Sequence, residues 1–158
     1  MQAGMATNRA LQLRAMEELR QRLARALPSA ESLADGDADQ LRQMGGGRLG
    51  AVGIVVPDAG SVHAVARLVE ANVRRTDLVL THAEDTVLVL APGLDPLGGE
   101  SLIGRLEPLL SEHLPETPVL LGAAYRSRLS LHGWHPSDLA AEARRRALTS
   151  PEDIEQVA

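Results

Sequence analysis

The chain has 158 residues, enough for one domain with one sizeable core, and its 44% hydrophobic and 23% charged content is that of an ordinary globular protein. A formal net charge of −5, with 16 basic residues that are all arginine and no long basic run, argues against nonspecific binding to DNA or an anionic membrane, while aromatic rings at Tyr125 and Trp134 alone argue against base-stacking platforms. The absence of cysteine removes disulfides, thiolate metal sites and cysteine nucleophiles; with neither a bilayer-length apolar run nor a signal-peptide core, the expected location is cytoplasmic.

Leu11, Ala15, Met16, Leu19, Leu23 and Leu27 recur at helical spacing, which predicts a helix from about Asn8 to Leu27 with Thr7 or Asn8 as its N-cap and Pro28 as its stop. Such a helix either lies on the domain or forms a dimer seam, and so few heptads give the seam little support. Residues 28–48, rich in Asp, Gly, Ser and Ala and holding Gly45-Gly46-Gly47, read as a flexible loop with a turn of helix around Asp39 to Met44. The glycine run is no phosphate cradle, because no strand precedes it and no Gly-Lys-Ser/Thr follows.

Leu49 to Val56 is a β-branched apolar run ended by Pro57-Asp58-Ala59-Gly60, a buried strand and a turn. Ser61 is placed to cap the next helix, whose buried stripe is Val62, Val65, Val69 and Val73 up to Arg74. Leu78–Leu80 and Val87–Leu90, separated by a polar turn at Glu84-Asp85 and stopped by Pro92-Gly93, form a β-hairpin pattern. Asp95 before Pro96 starts a helix with Leu102, Leu106, Leu109 and Leu110 inward, Pro118 to Ala124 is a further strand, and a last helix beginning near Pro136 carries Leu139, Ala143 and Ala147 on one face. The order helix, strand, helix, strand, strand, helix, strand, helix predicts an α+β fold with a central mixed sheet flanked by helices and a split βαβ pattern. We expect a single domain over 1–158, with an N-terminal helix at 1–27, the loop at 28–48 and the core at 49–148.

Around the hairpin the chain resembles the GGDEF (diguanylate cyclase) family. That family carries Arg-x-x-Asp, five residues, Gly-Gly-Asp/Glu-Glu-Phe at the turn, then an apolar strand and often Pro-Gly. Laid on without gaps, Arg74 and Asp77 match the Arg-x-x-Asp, Pro92-Gly93 match the exit, and the signature turn falls on Ala83-Glu84-Asp85-Thr86-Val87. Gly4 to Arg9 loosely match the family's Gly-Leu-x-Asn-Arg, one residue too long; Gly122 and Ala124 match a small-residue pair, and Asp138-Leu139 to Ala143 the start of the last helix. The resemblance implies a palm-like core of the ferredoxin-like type.

It also implies what chemistry is missing. Cyclisation of GTP needs two divalent cations on hard oxygen ligands, which the family draws from an Asp ending the first strand and from the acidic turn. Here Asp58 is displaced, Asp85 holds the first acidic position, Thr86 replaces the second, and Glu84 stands where a glycine lets the backbone approach phosphate. A slip of one residue would make Glu84 and Asp85 the acidic pair but would break the Asp77 or the Pro92 match. The guanine-reading segment shrinks to Asp58-Ala59-Gly60, and Ala147-Leu148-Thr149-Ser150-Pro151 stand in place of basic residues. No catalytic activity and no metal site are therefore expected.

What the resemblance retains is a ligand site. Arg74, Asp77 and Arg105 match the family's inhibitory site for cyclic di-GMP, where an arginine fork reads a guanine edge or phosphate and a carboxylate accepts from guanine donors. The bland alternative for Arg74 and Asp77 is a solvated helix end and a turn. Expectation is thus a regulatory domain that binds cyclic di-GMP and a protein partner, including a second copy; the competing reading is a nucleotide-independent dimerisation or docking scaffold. The histidines at 63, 82, 113, 132 and 135 lack a completing ligand set, and Arg144-Arg145-Arg146 read as a solvated face.

Overall fold

Alternation along the hairpin decides how the sheet is used. Leu78, Leu80, Leu88 and Leu90 face one side together with Leu49 and Ala51, while Val79, Val87 and Val89 face the other with Val52 and Ile54, and all of them are buried. Both faces must therefore be covered by helices. The computed structural model describes residues 2–24, 27–43, 48–127 and 135–149. Its strands are β1 (Leu49–Val55), β2 (Leu78–His82), β3 (Thr86–Pro92) and β4 (Leu120–Arg126), and its helices are α1 (Gln2–Ala24), α2 (Asp35–Gln43), α3 (Val62–Glu70), α4 (Pro96–His113) and α5 (Pro136–Leu148).

The sheet order is β2-β3-β1-β4. Two βαβ units interleave, so each crossover skips a strand; the α+β, ferredoxin-like reading holds. The mixed sheet does not, because every pairing among the described strands is antiparallel. Inserting β3 between β1 and β2 keeps the two parallel strands from touching. The valine-rich face lies under α3 and α4, with Val65, Val69, Leu102 and Leu106 buried; the leucine-rich face lies under α1, α2 and α5, with Met16, Leu19, Leu41, Leu139 and Ala143 buried.

Several boundaries depart from the sequence reading. Helix α1 starts at Gln2, so Thr7 and Asn8 lie inside it rather than at its start; Ala3, Met5 and Ala6 are good helix formers and extend it past the apolar stripe. The chain after Pro28 is not a loop: Thr81 N–H donates to Pro28 O at 3.0 Å, Ser29 bridges Thr81 as a short parallel addition to β2, and a 3-10 turn at Ala30–Ser32 precedes α2. Ala30, Leu33, Ala38 and Leu41 are buried there, four anchors too sparse to stand out in a polar segment. Residues 44–47 with the glycine run fall outside the described residues. Strand β4 runs two residues beyond the expected Ala124, to Arg126.

Helix α5 is seated by two glycines paired across the sheet. Gly53 of β1 is opposite Gly122 of β4; a Cβ on Gly122 would overlap the backbone of Ala147, and one on Gly53 would press on Ala143. This close approach sets the position of α5 beside the β2–β3 turn.

Candidate functional site

Helix α3 ends at Glu70 rather than at Arg74, although Val73 continues its spacing. The cause is local: Asp77 Oδ2 accepts the Arg74 backbone N–H at 2.9 Å, and Asp77 N–H donates to Arg74 O at 3.0 Å. This reciprocal turn competes with helical hydrogen bonds and sends the chain into β2. Asp77 is consequently buried, 5% exposed, at the foot of an open cleft.

That cleft, about 320 Å³, gathers Arg74 and Asp77 from the α3–β2 connection, the β3 exit at Pro92-Gly93, and Asp95 and Arg105 from the start and middle of α4. The structure thus brings Arg74, Asp77 and Arg105 to one place, with both arginines exposed. Arg105 donates to Asn72 O at 3.3 Å. Burial pushes the Asp77 carboxyl above its usual range, outweighing the Arg74 N–H and the charges of Arg74, Arg20 and Arg105, which pull it down. A carboxylate held this way gains from any donor that enters the cleft.

At the hairpin tip the chemistry is different. Ala83 and Glu84 have positive φ, 52° and 65°, at the two positions where the gapless register puts the family's glycines. Asp85 accepts two bonds from Arg144 of α5, Nε to Oδ1 at 3.0 Å and Nη2 to Oδ2 at 2.7 Å. Thr86, fully buried, donates its hydroxyl to Asp85 Oδ1 at 2.8 Å, and Asp85 O accepts the Val56 N–H at 2.7 Å. Arg144 holds the Asp85 carboxyl below its ordinary range against a partial burial that raises it. On the other flank Glu31 pairs with His82 and takes the Ala83 N–H.

Asp58 accepts the Gly60 N–H at 3.2 Å and the Ser61 hydroxyl at 2.8 Å, closing a 3-10 turn at Ala59–Ser61. Ser61 makes no side-chain cap to α3, contrary to expectation, because its hydroxyl is turned to Asp58. Glu84 is exposed and Val87 buried in β3. Among the described residues no cluster of three or more His, Asp or Glu side chains has metal-holding geometry.

Two residues that sequence reasoning passed over matter here. Arg144 is not a solvated residue but the partner of the turn carboxylate; nothing in its neighbourhood along the chain points to Asp85. His135 caps α5, its Nδ1 accepting the Ser137 N–H at 3.1 Å while Nε2 lies 3.2 Å from Leu33 O, and Asp138 returns a bond to the His135 N–H. Its position directly before Pro136 at the helix start was the available signal.

No protein-family model matches the sequence, and the comparison with curated proteins likewise finds no match. Among solved structures, the GGDEF domain of FimX from Pseudomonas aeruginosa is similar with a TM-score of 0.52 at 14% identity, covering 78% of this chain and 86% of that one. PelD 156–455 from Pseudomonas aeruginosa PA14, in its apo form, gives a TM-score of 0.43 at 23% identity over 60% of this chain and 41% of that one. The FimX comparison shows a GGDEF-like fold. The likeness is one of fold, and the signature turn of that family is replaced here by Ala83-Glu84-Asp85-Thr86-Val87. Among the described residues no helix is long and apolar enough to cross a membrane.

Proposed function

We propose that this is a non-catalytic regulatory domain that binds cyclic di-GMP at Arg74, Asp77 and Arg105 and passes its occupancy to a protein partner. The observation that supports this most is the convergence of those three side chains, from two elements far apart in the chain, on a cleft of about 320 Å³. That volume is at the low end of small-molecule sites, roughly 300–1,000 Å³, and suits one guanine with its phosphate rather than a fully enclosed dinucleotide. Two guanidinium forks supply phosphate and base-edge donors, and Asp77 supplies the acceptor for guanine N1 and N2.

Loss of cyclase activity is supported by the hairpin tip. Asp85 is engaged by Arg144, the second acidic position is Thr86, and Asp58 closes its own turn, so the ligands for two cations are not assembled. The partner, whether another protein or a second copy, has a surface available on α1, where Leu11 and Leu13 are 55% and 49% exposed. Calorimetry of the purified chain with cyclic di-GMP tests the reading. Arg74→Ala should weaken binding by about 10- to 100-fold, the size of a lost charge-assisted hydrogen bond, and equal affinity in both proteins would refute it.

A further inference from the structure

The connection that carries Arg74 and Asp77 is also the place where α1 meets the α3 end of the domain. From the α1 side, Arg20 donates to Glu70 O at 3.1 Å, on the last residue of α3, and Arg75 faces Glu17 at 3.9 Å. Glu17, Arg20, Gln21, Glu70 and Arg75 line a second, shallow depression. From the cleft side, Arg105 holds Asn72 O and Asp77 holds the Arg74 N–H. Residues 70–77 are therefore gripped from both sides by side chains whose own bonds are few and partly exposed.

We infer that residues 70–77 couple the cleft to α1, so that filling the cleft loosens the seat of the last two turns of α1. The inference rests on the ligand reading for its trigger. A nucleotide in the cleft draws on the groups that now brace the connection: its phosphate competes for the Arg105 guanidinium with Asn72 O, and its guanine donors compete for the Asp77 carboxylate with the Arg74 N–H. The connection is then free to shift, and the Arg20–Glu70 and Glu17–Arg75 contacts on its far side weaken with it. Because coupling is reciprocal, releasing α1 must raise affinity at the cleft by the same factor. The connection is touched from both sites, and the coupling requires that it take a second arrangement when the cleft is filled.

Hydrogen exchange of residues 16–24, followed with and without cyclic di-GMP, is the primary test on the full chain. Exchange there should rise on binding, and the Glu17→Gln/Arg20→Lys double variant, which keeps the positive charge felt by Asp77 while losing the guanidinium bond to Glu70 O, should bind cyclic di-GMP about fivefold more tightly or better, the lower end of ordinary coupling. Binding to wild type with unchanged exchange at 16–24 and unchanged affinity in the double variant would overturn the coupling and leave the ligand reading intact. Failure of wild type to bind would remove the ligand reading alone, since the exposed Arg105→Ala change, which frees Asn72 O without any ligand, must still speed exchange at 16–24. Unchanged exchange in Arg105→Ala under those conditions would overturn the coupling as well.

Discussion

The Arg144–Asp85 pair gives the most demanding prediction, because it fixes both the closing of the hairpin tip and its pH dependence. Replacing Arg144 by Gln removes two charge-assisted bonds, at 3.0 and 2.7 Å, from a carboxylate that also receives Thr86 Oγ1. Hydrogen bonds to charged groups contribute about 1.5–3 kcal/mol. About a third of each side chain faces water, 34% for Arg144 and 30% for Asp85, so solvent screening reduces the expected loss to roughly 1–2 kcal/mol. For a chain of this size that lowers the melting temperature by about 3–6 °C.

The folded pKa of Asp85 is depressed, so its contribution is complete above the unfolded carboxylate value, about 3.9, and is lost as pH falls through the folded value. Thermal unfolding of wild type and Arg144→Gln should therefore differ fully at pH 7 and converge as pH is lowered toward 3. Asp85→Asn should behave alike, and the double variant should show a coupling of about 1 kcal/mol. A deficit as large at pH 3 as at pH 7, or additive single changes, would refute the ion pair as the element that holds the tip.

Ala83→Gly and Glu84→Gly should each raise stability by about 0.5–1 kcal/mol in denaturant titrations, since both residues occupy the left-handed region that glycine adopts without a Cβ penalty. The raised carboxyl of Asp77 has the opposite sign from Asp85: its contribution is present below the unfolded pKa and is lost as pH rises through the folded one, so Asp77→Asn should gain on wild type in stability as pH rises above the unfolded carboxylate value, about 3.9. His135→Ala should cost about 1 kcal/mol through the lost cap of α5, and His135→Asn should recover most of it.

The hairpin was legible because period-2 alternation, a polar turn and Pro-Gly agree over consecutive residues, and the leucine and valine faces of the sheet follow from it. Helix α2 was legible only as a turn around Asp39 to Met44, because Asp35 to Gln43 buries only Ala38 and Leu41 against an otherwise polar run. The end of α3 was misplaced for a complementary reason: Val73 keeps the apolar spacing, and only the reciprocal Arg74–Asp77 turn shows where the helix stops. Arg74, Asp77 and Arg105 could be named by their offsets from the hairpin, yet their meeting depends on α4 packing beside α3, which no local pattern encodes. The same is true of Arg144, whose partner Asp85 is 59 residues away in the chain. The all-antiparallel sheet was hidden because strand order, unlike strand existence, is a property of the whole chain.

Binding of cyclic di-GMP by Arg74, Asp77 and Arg105, as proposed above, is measured by isothermal titration of that nucleotide into wild type and into Arg74→Ala. Saturable binding to wild type is expected, weakened about 10- to 100-fold in the variant and strengthening with rising pH as the Asp77 carboxylate becomes ionised. No heat at high micromolar nucleotide, or the same affinity in both proteins, would contradict it.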